Sequence, residues 1–198
     1  MTISVEEKEL LDELATNGLS VNSVADLYNK KLDYRTVVPL LIEWLPRISD
    51  AGAKEEVVRA LSVKWAKPDA APALLRELRQ DSSDPTGIGI RWAIANALSV
   101  VATDAVFEDV RDLVNCKEYG KAREMLAIAL GNMRKTPAAE KTLIELLDDE
   151  EIVGHALTGL RKLGGGRSAH RRITELSQHP TNWVRKEAEK LIAKLGLN

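Results

Sequence analysis

Between residues 182 and 196 the apolar positions Val184, Ala188, Leu191, Ile192 and Leu195 recur at helical spacing, with charged residues between them. The stretch predicts one amphipathic helix, capped by Thr181 or Asn182 and stopped by Gly196, a residue type that accepts a left-handed backbone. The same pattern recurs upstream. Ile152, Ala156, Gly159, Leu160 and Leu163 repeat it 32 residues earlier. Ala122, Leu126, Ala129, Leu130 and Met133 follow at 30, and Ile90, Ile94, Ala97, Leu98 and Val101 at a further 32. A period near 30 residues marks a repeat array, because such a unit buries its apolar face only against neighbouring copies.

Taken in order, Ser4 to Ala15 reads as a helix, with Ser4 and Glu7 at capping-box spacing and a stripe of Leu10, Leu11 and Leu14. A short helix follows from about Val21 to Asn29. Residues 1–33 are therefore read as an N-terminal helical cap, and 34–198 as one continuous array of about five helix pairs. The first pair spans Thr36 to Ile48, with Pro46 ending or kinking it, and Lys54 to about Ala66. Val57 and Val58 both fit its leading apolar position, which leaves that register open. The second pair is Ala70 to Arg79 and Ile88 to Ala102, joined by a long turn over residues 81–87. The third is Asp104 to Val114 and Lys121 to Arg134. The fourth opens at Thr136-Pro137, packs Leu143, Leu146 and Leu147 inward, turns at acidic residues 148–151 and ends at Leu163. After Gly164–Gly166 the fifth comprises Ser168 to Gln178 and the closing helix. The fold class expected is all-α, with helix content well above the ~30–35% of an average domain.

Composition changes this picture little; charge changes it more. The chain carries 44% hydrophobic and 29% charged residues, ordinary for a globular protein. The single cysteine, Cys116, excludes an intramolecular disulfide. With neither a signal-like start nor an apolar run of about 20 residues, the expectation is a cytoplasmic protein off the membrane, monomeric or weakly dimeric. Residues 1–33 and 34–153 each carry a net −4, whereas residues 154–198 carry +6, within a total of −2. The first two helices have the outline of a helix-turn-helix, but their negative charge would repel phosphates, so nucleic acid is not the expected partner.

Val184-Arg185 and Ile90-Arg91 opening a helix, and Ala129-Leu130-Gly131 closing one, resemble HEAT-type repeats, in particular the short HEAT-like repeats also found in phycobilisome lyases. The resemblance covers about residues 34–196. It implies a right-handed α-solenoid that serves as a scaffold or adaptor, with the second helix of each pair lining the concave side. It also implies that Arg59, Arg91, Arg123 and Arg185 form a structural ladder bonded to acidic turns; Val153 interrupts the series.

The outward positions of the second helices then become the candidate partner-binding residues: Trp92 and Asn96, Glu124, His155, Arg161 and Lys162, and Lys186, Lys190 and Lys194. Trp92 lies about 200° from Ile90, so it is either an interface anchor or packed on a neighbouring helix. Trp44, Trp65 and Trp183 are expected in the core. The last three lysines stack at four-residue intervals, with Glu187 and Glu189 expected on other faces. With Arg161 and Lys162 they are expected to form one basic patch for an acidic partner. His155, His170 and His179 do not make a metal set, no metal or cofactor is expected, and no catalytic residue is assigned. The glycine triplet before Arg167-Ser168 is read as a turn. The leading reading is a non-enzymatic scaffold that binds a protein or peptide. A nucleic-acid-binding or glycosylase-like protein, and a lyase or chaperone subunit, are the alternatives.

Overall fold

The computed structural model describes residues 4–80 and 86–196; most of the expected turn over 81–87 lies outside them. Among the described residues the regular elements are all helical and none is a strand. α1 (Val5–Thr16) starts where the Ser4 hydroxyl accepts the Glu7 N–H at 3.1 Å. α2 (Ala25–Asn29) is shorter than expected, because the backbone at Val21–Ser23 does not enter the helix. α3 (Val38–Trp44) has proline in its first turn and stops two residues before Pro46.

α4 (Ala51–Leu61) begins three residues earlier than the sequence suggests. Asp50 caps it, accepting the Ala53 N–H at 2.8 Å, so the expected turn residues Ala51 and Gly52 become helix. It also ends five residues early, and Lys64–Ala66 forms a separate 3-10 turn ahead of Pro68. Val57 and Val58 are both fully buried, so burial does not single out either one as the leading apolar position.

The remaining helices are α5 (Ala70–Gln80), α6 (Ile90–Val101), α7 (Phe107–Asn115), α8 (Ala122–Leu130), α9 (Pro137–Glu145), α10 (Val153–Leu163), α11 (His170–Leu176) and α12 (Asn182–Leu195). Short 3-10 turns at Arg35–Val37, Asp104–Val106, Lys117–Tyr119, Leu146–Asp148 and Arg167–Ala169 lead into or out of them. α8 stops at Leu130 rather than Arg134, because Gly131 and the turn after it do not continue the ladder.

Contacts follow chain order. α3 packs on α4, α5 on α6, α7 on α8, α9 on α10 and α11 on α12. The second members also touch one another in sequence: α4 on α6, α6 on α8, α8 on α10, and α10 on α12. This row needs close approach. Gly159 in α10 has its Cα so near α8 that a Cβ would stand 2.6 Å from the Ala127 carbonyl oxygen. Leu126, Leu130, Leu157, Leu160, Ala188 and Leu191 fill the seams with no exposed surface. The first residues are tied on by polar contacts: the Trp44 indole N–H donates to Glu13 at 2.9 Å, and Glu56 accepts the Ala25 N–H at 2.9 Å.

Candidate functional site

The face of α6, α8, α10 and α12 turned away from the first helices carries the candidate residues. Trp92 is 37% exposed and Asn96 half-buried on α6. Glu124 on α8 accepts from Lys121 at 2.9 Å. Its other oxygen stands 3.8 Å from Nε2 of His155 on α10. Burial above all holds the His155 imidazole below its usual pKa; the Glu124 carboxylate opposes this and the Lys121 ammonium adds to it. Nδ1 of His155 is buried without a hydrogen-bond partner, an arrangement that suits a neutral ring.

Trp183 departs from the sequence reading. It is 43% exposed and lies across the start of α10, its ring 4.7 Å from that of His155. Gly154 makes this possible: a Cβ there would fall 2.0 Å from Trp183 Cζ3. Trp65 also departs, at 43% exposed, because α4 has ended before it and the helical phase that would turn it inward is lost. It meets Tyr34 edge-on at 5.6 Å, with the Arg35 guanidinium 5.3 Å over its ring. Trp44 is buried, 1% exposed.

Three of the four ladder arginines reach turns. Arg91 Nη1 donates to the Glu118 carbonyl at 3.0 Å. Arg123 is 1% exposed, donating to Val114 O at 2.7 Å, to Glu151 at 2.9 Å and to Asp149. Arg185 donates to the His179 and Pro180 carbonyls at 2.7 and 2.8 Å. Arg59 does not belong. It lies near the end of α4 and pairs with Glu55 of its own helix on the surface. Near the start of α4, Lys54 reaches instead across to Glu77 of α5 at 2.7 Å.

The expected basic patch is divided by a carboxylate. Glu187 is 4% exposed, not on an outer face. Its position three residues after Val184 puts it in the apolar stripe, which is the signal that sequence reasoning passed over. It accepts from Thr158 at 3.1 Å, Arg161 at 3.3 Å and Lys190 at 2.5 Å. Burial pushes its carboxyl up, but these bonds and charges outweigh burial and hold it below the usual glutamate range. Arg161 and Lys190 thus share one carboxylate, which offsets one of their two charges. Lys194 turns back to the Arg161 carbonyl. Lys162 leaves the group, and its Nζ donates to the Ser99 carbonyl of α6 at 2.8 Å. Lys186 alone of the five stands exposed and unpaired.

At the N-terminal ends of α8 and α10 a cleft of about 380 Å³ is lined by Lys117, Lys121, Glu124, Glu151 and Ile152. Its charges pair among themselves and with Asp149. Among the described residues no group of three or more His, Cys, Asp or Glu could hold a metal ion, and no helix is long and apolar enough to cross a membrane.

No family model matches the chain, and no curated protein matches it. Among solved structures, the crystal structure of an engineered protein from a structural genomics consortium superposes with a TM-score of 0.59, covering 98% of each chain at 18% identity. At that identity the likeness speaks for the fold alone: from end to end, the backbone follows the course of a known structure.

Proposed function

We propose that the chain is a HEAT-like scaffold, a right-handed α-solenoid without chemistry of its own, which holds an acidic protein or peptide segment along the concave face of its second helices. The observation that carries this reading is the pairing of exposed indoles with a polar row. Trp92 and Trp183 stand open on helices whose remaining face is Asn96, Glu124, Thr158 and Lys186. An exposed tryptophan is costly to hydrate and is favoured as an interface anchor. The unbroken contact of α4, α6, α8, α10 and α12 supports a continuous face for an extended segment.

Lys186 is the cation to perturb. Lys190 is not, because a carboxylate at that position would face the buried Glu187 and disturb folding. The experiment is affinity capture from native lysate with wild type, Trp92→Ala and Lys186→Glu, each checked for native circular dichroism. A protein retained by wild type, weakened by both variants and released by salt supports the reading. Identical capture by all three overturns it.

A further inference from the structure

His155 is the third residue of α10, and its ring sits where three helices meet. On one side Nε2 stands 3.8 Å from the Glu124 carboxylate of α8. On the other the ring lies 4.7 Å from the Trp183 indole of α12, tilted by 53° to it. The indole reaches this place because Gly154 carries no side chain. It therefore rests on the bare backbone at Gly154 and on the imidazole beside it. α12 itself is fixed by Val184, Ala188 and Leu191, which are buried, so the Trp183 side chain can move without its helix.

These surroundings suit a neutral ring. The His155 side chain is only 17% exposed. A charged imidazolium carries two N–H donors and needs two acceptors. Nδ1 is buried without one. The Glu124 carboxylate faces Nε2, but the Lys121 ammonium already holds it at 2.9 Å. From α12, Glu187 adds a second negative charge, itself bonded to Thr158, Arg161 and Lys190. α9 and the turn after it also pack on α10, and none of their charges bears on the ring. Water imposes none of these limits. A ring that is hard to protonate in place and easy to protonate in water leaves its place as pH falls.

We propose that His155 is a proton-operated catch for Trp183: the neutral imidazole holds the indole across Gly154, and the protonated one leaves for water and lets it go. The pH sense follows from linkage. Burial foremost holds His155 below its usual 6.5 in place, whereas an imidazole in water titrates near that value. The held state is therefore fully favoured above the ordinary value and is lost as pH falls below it, through the value in place. The coupling is reciprocal, so lifting the indole away must make His155 easier to protonate. On the reading of Trp183 as a partner anchor given above, the segment is gripped at neutral pH and loosened in acid. The catch itself is tested without any partner.

The test is acrylamide quenching of tryptophan fluorescence in the full chain carrying Trp65→Phe/Trp92→Phe, where the remaining indoles are Trp183 and the buried Trp44. Between pH 8 and pH 5 the emission is expected to shift to longer wavelength, with the midpoint at which His155 titrates by proton NMR. Because the Trp183 residue is 43% exposed when held, its quenching should rise about twofold on release. His179, whose Nε2 meets Glu150 at 3.0 Å, lies four residues before Trp183 and is the control imidazole. The transition should persist in His179→Gln and vanish in His155→Gln. Gly154→Ala, in which a Cβ displaces the indole, should show the acid level of quenching already at pH 8 and raise the His155 midpoint towards 6.5. Emission that dims without greater quencher access overturns the catch, since the imidazolium then stays stacked on the ring. A transition that survives in His155→Gln overturns it too, as does a His155 titration with no change at Trp183. Should His155→Gln lose its helical signal, Gly154→Ala decides: a His155 midpoint that does not rise overturns the coupling.

Discussion

Arg123 should be the costliest arginine to remove. Its guanidinium joins three places: the Val114 carbonyl at the end of α7, and Asp149 and Glu151 in the turn before α10. In Arg123→Met the aliphatic stem is kept, so the loss is mainly polar. Val114 O is left buried without this donor, a cost of about 1–3 kcal/mol. The Glu151 contact adds little, because that side chain is largely exposed and such pairs contribute about 0.5 kcal/mol. Asp149 is 14% exposed and retains Lys117 at 2.7 Å, so it is weakened rather than stranded, for about 1 kcal/mol more. The total is about 3 kcal/mol. At about 2–4 °C per kcal/mol for a domain of this size, Tm should fall by roughly 6–12 °C. Urea titration followed by circular dichroism measures the first quantity and calorimetry the second. The acid limb gives an independent reading. Burial pushes the Asp149 carboxyl up, but the hydrogen bonds from Lys117 and Arg123 outweigh it and hold the group below its ordinary 3.8. A folded pKa below the unfolded one contributes stability above the unfolded value, which is lost as pH falls through the folded value. Wild type should therefore lose more stability than Arg123→Met below about pH 4, and the gap between them should narrow. A loss under 1 kcal/mol at pH 7 would refute the claim that this arginine ties neighbouring helix pairs together.

Leu160 is fully buried between α10 and its neighbours, and Leu160→Ala should cost roughly 2–5 kcal/mol in the same titration. Gly131→Ala places a Cβ 2.7 Å from the Gly159 carbonyl oxygen and 2.9 Å from Lys162 Cβ, so α8 and α10 must part at about 1–3 kcal/mol; a loss near zero would mean that the seam is loose. His155, held below its usual 6.5 by burial foremost, should titrate below that value by proton NMR. Its neutral form then contributes stability that is present above the unfolded pKa and lost on acidification through the folded one. His155→Gln should flatten that part of the stability profile.

Much of the core was legible because helical periodicity reports the angle at which a residue leaves its helix. Leu126, Leu130, Leu160, Ala188 and Leu191 were placed inward on that basis and are buried. The angle holds only while the helix continues. Trp65 was misplaced because α4 stops five residues early, and Arg59 because it lies near the end of α4 rather than in the first turn, where Arg91 and Arg123 stand in α6 and α8. A capping aspartate at Asp50 decides the start, and a local hydrogen bond of that kind leaves no trace in an apolar pattern.

The candidate site was harder to read, since its electrostatics are set by contacts between repeats. Glu187 was visible as a charge inside an apolar stripe. A charge in that place must be paired, and the cations that pair it are then no longer available to a partner. Applied to the sequence, that rule would have removed Arg161 and Lys190 from the expected patch and left Lys162, Lys186 and Lys194. No such rule finds Lys162. Its carbonyl partner lies 63 residues away, two helices over, and the path between them exists because α8 ends at a glycine. A repeat pattern compares each residue with its equivalents, whereas this contact depends on three consecutive units differing from one another. Periodicity could place Lys186, which stands outward without a carboxylate, but it could not place Lys162, whose partner is a carbonyl two helices away.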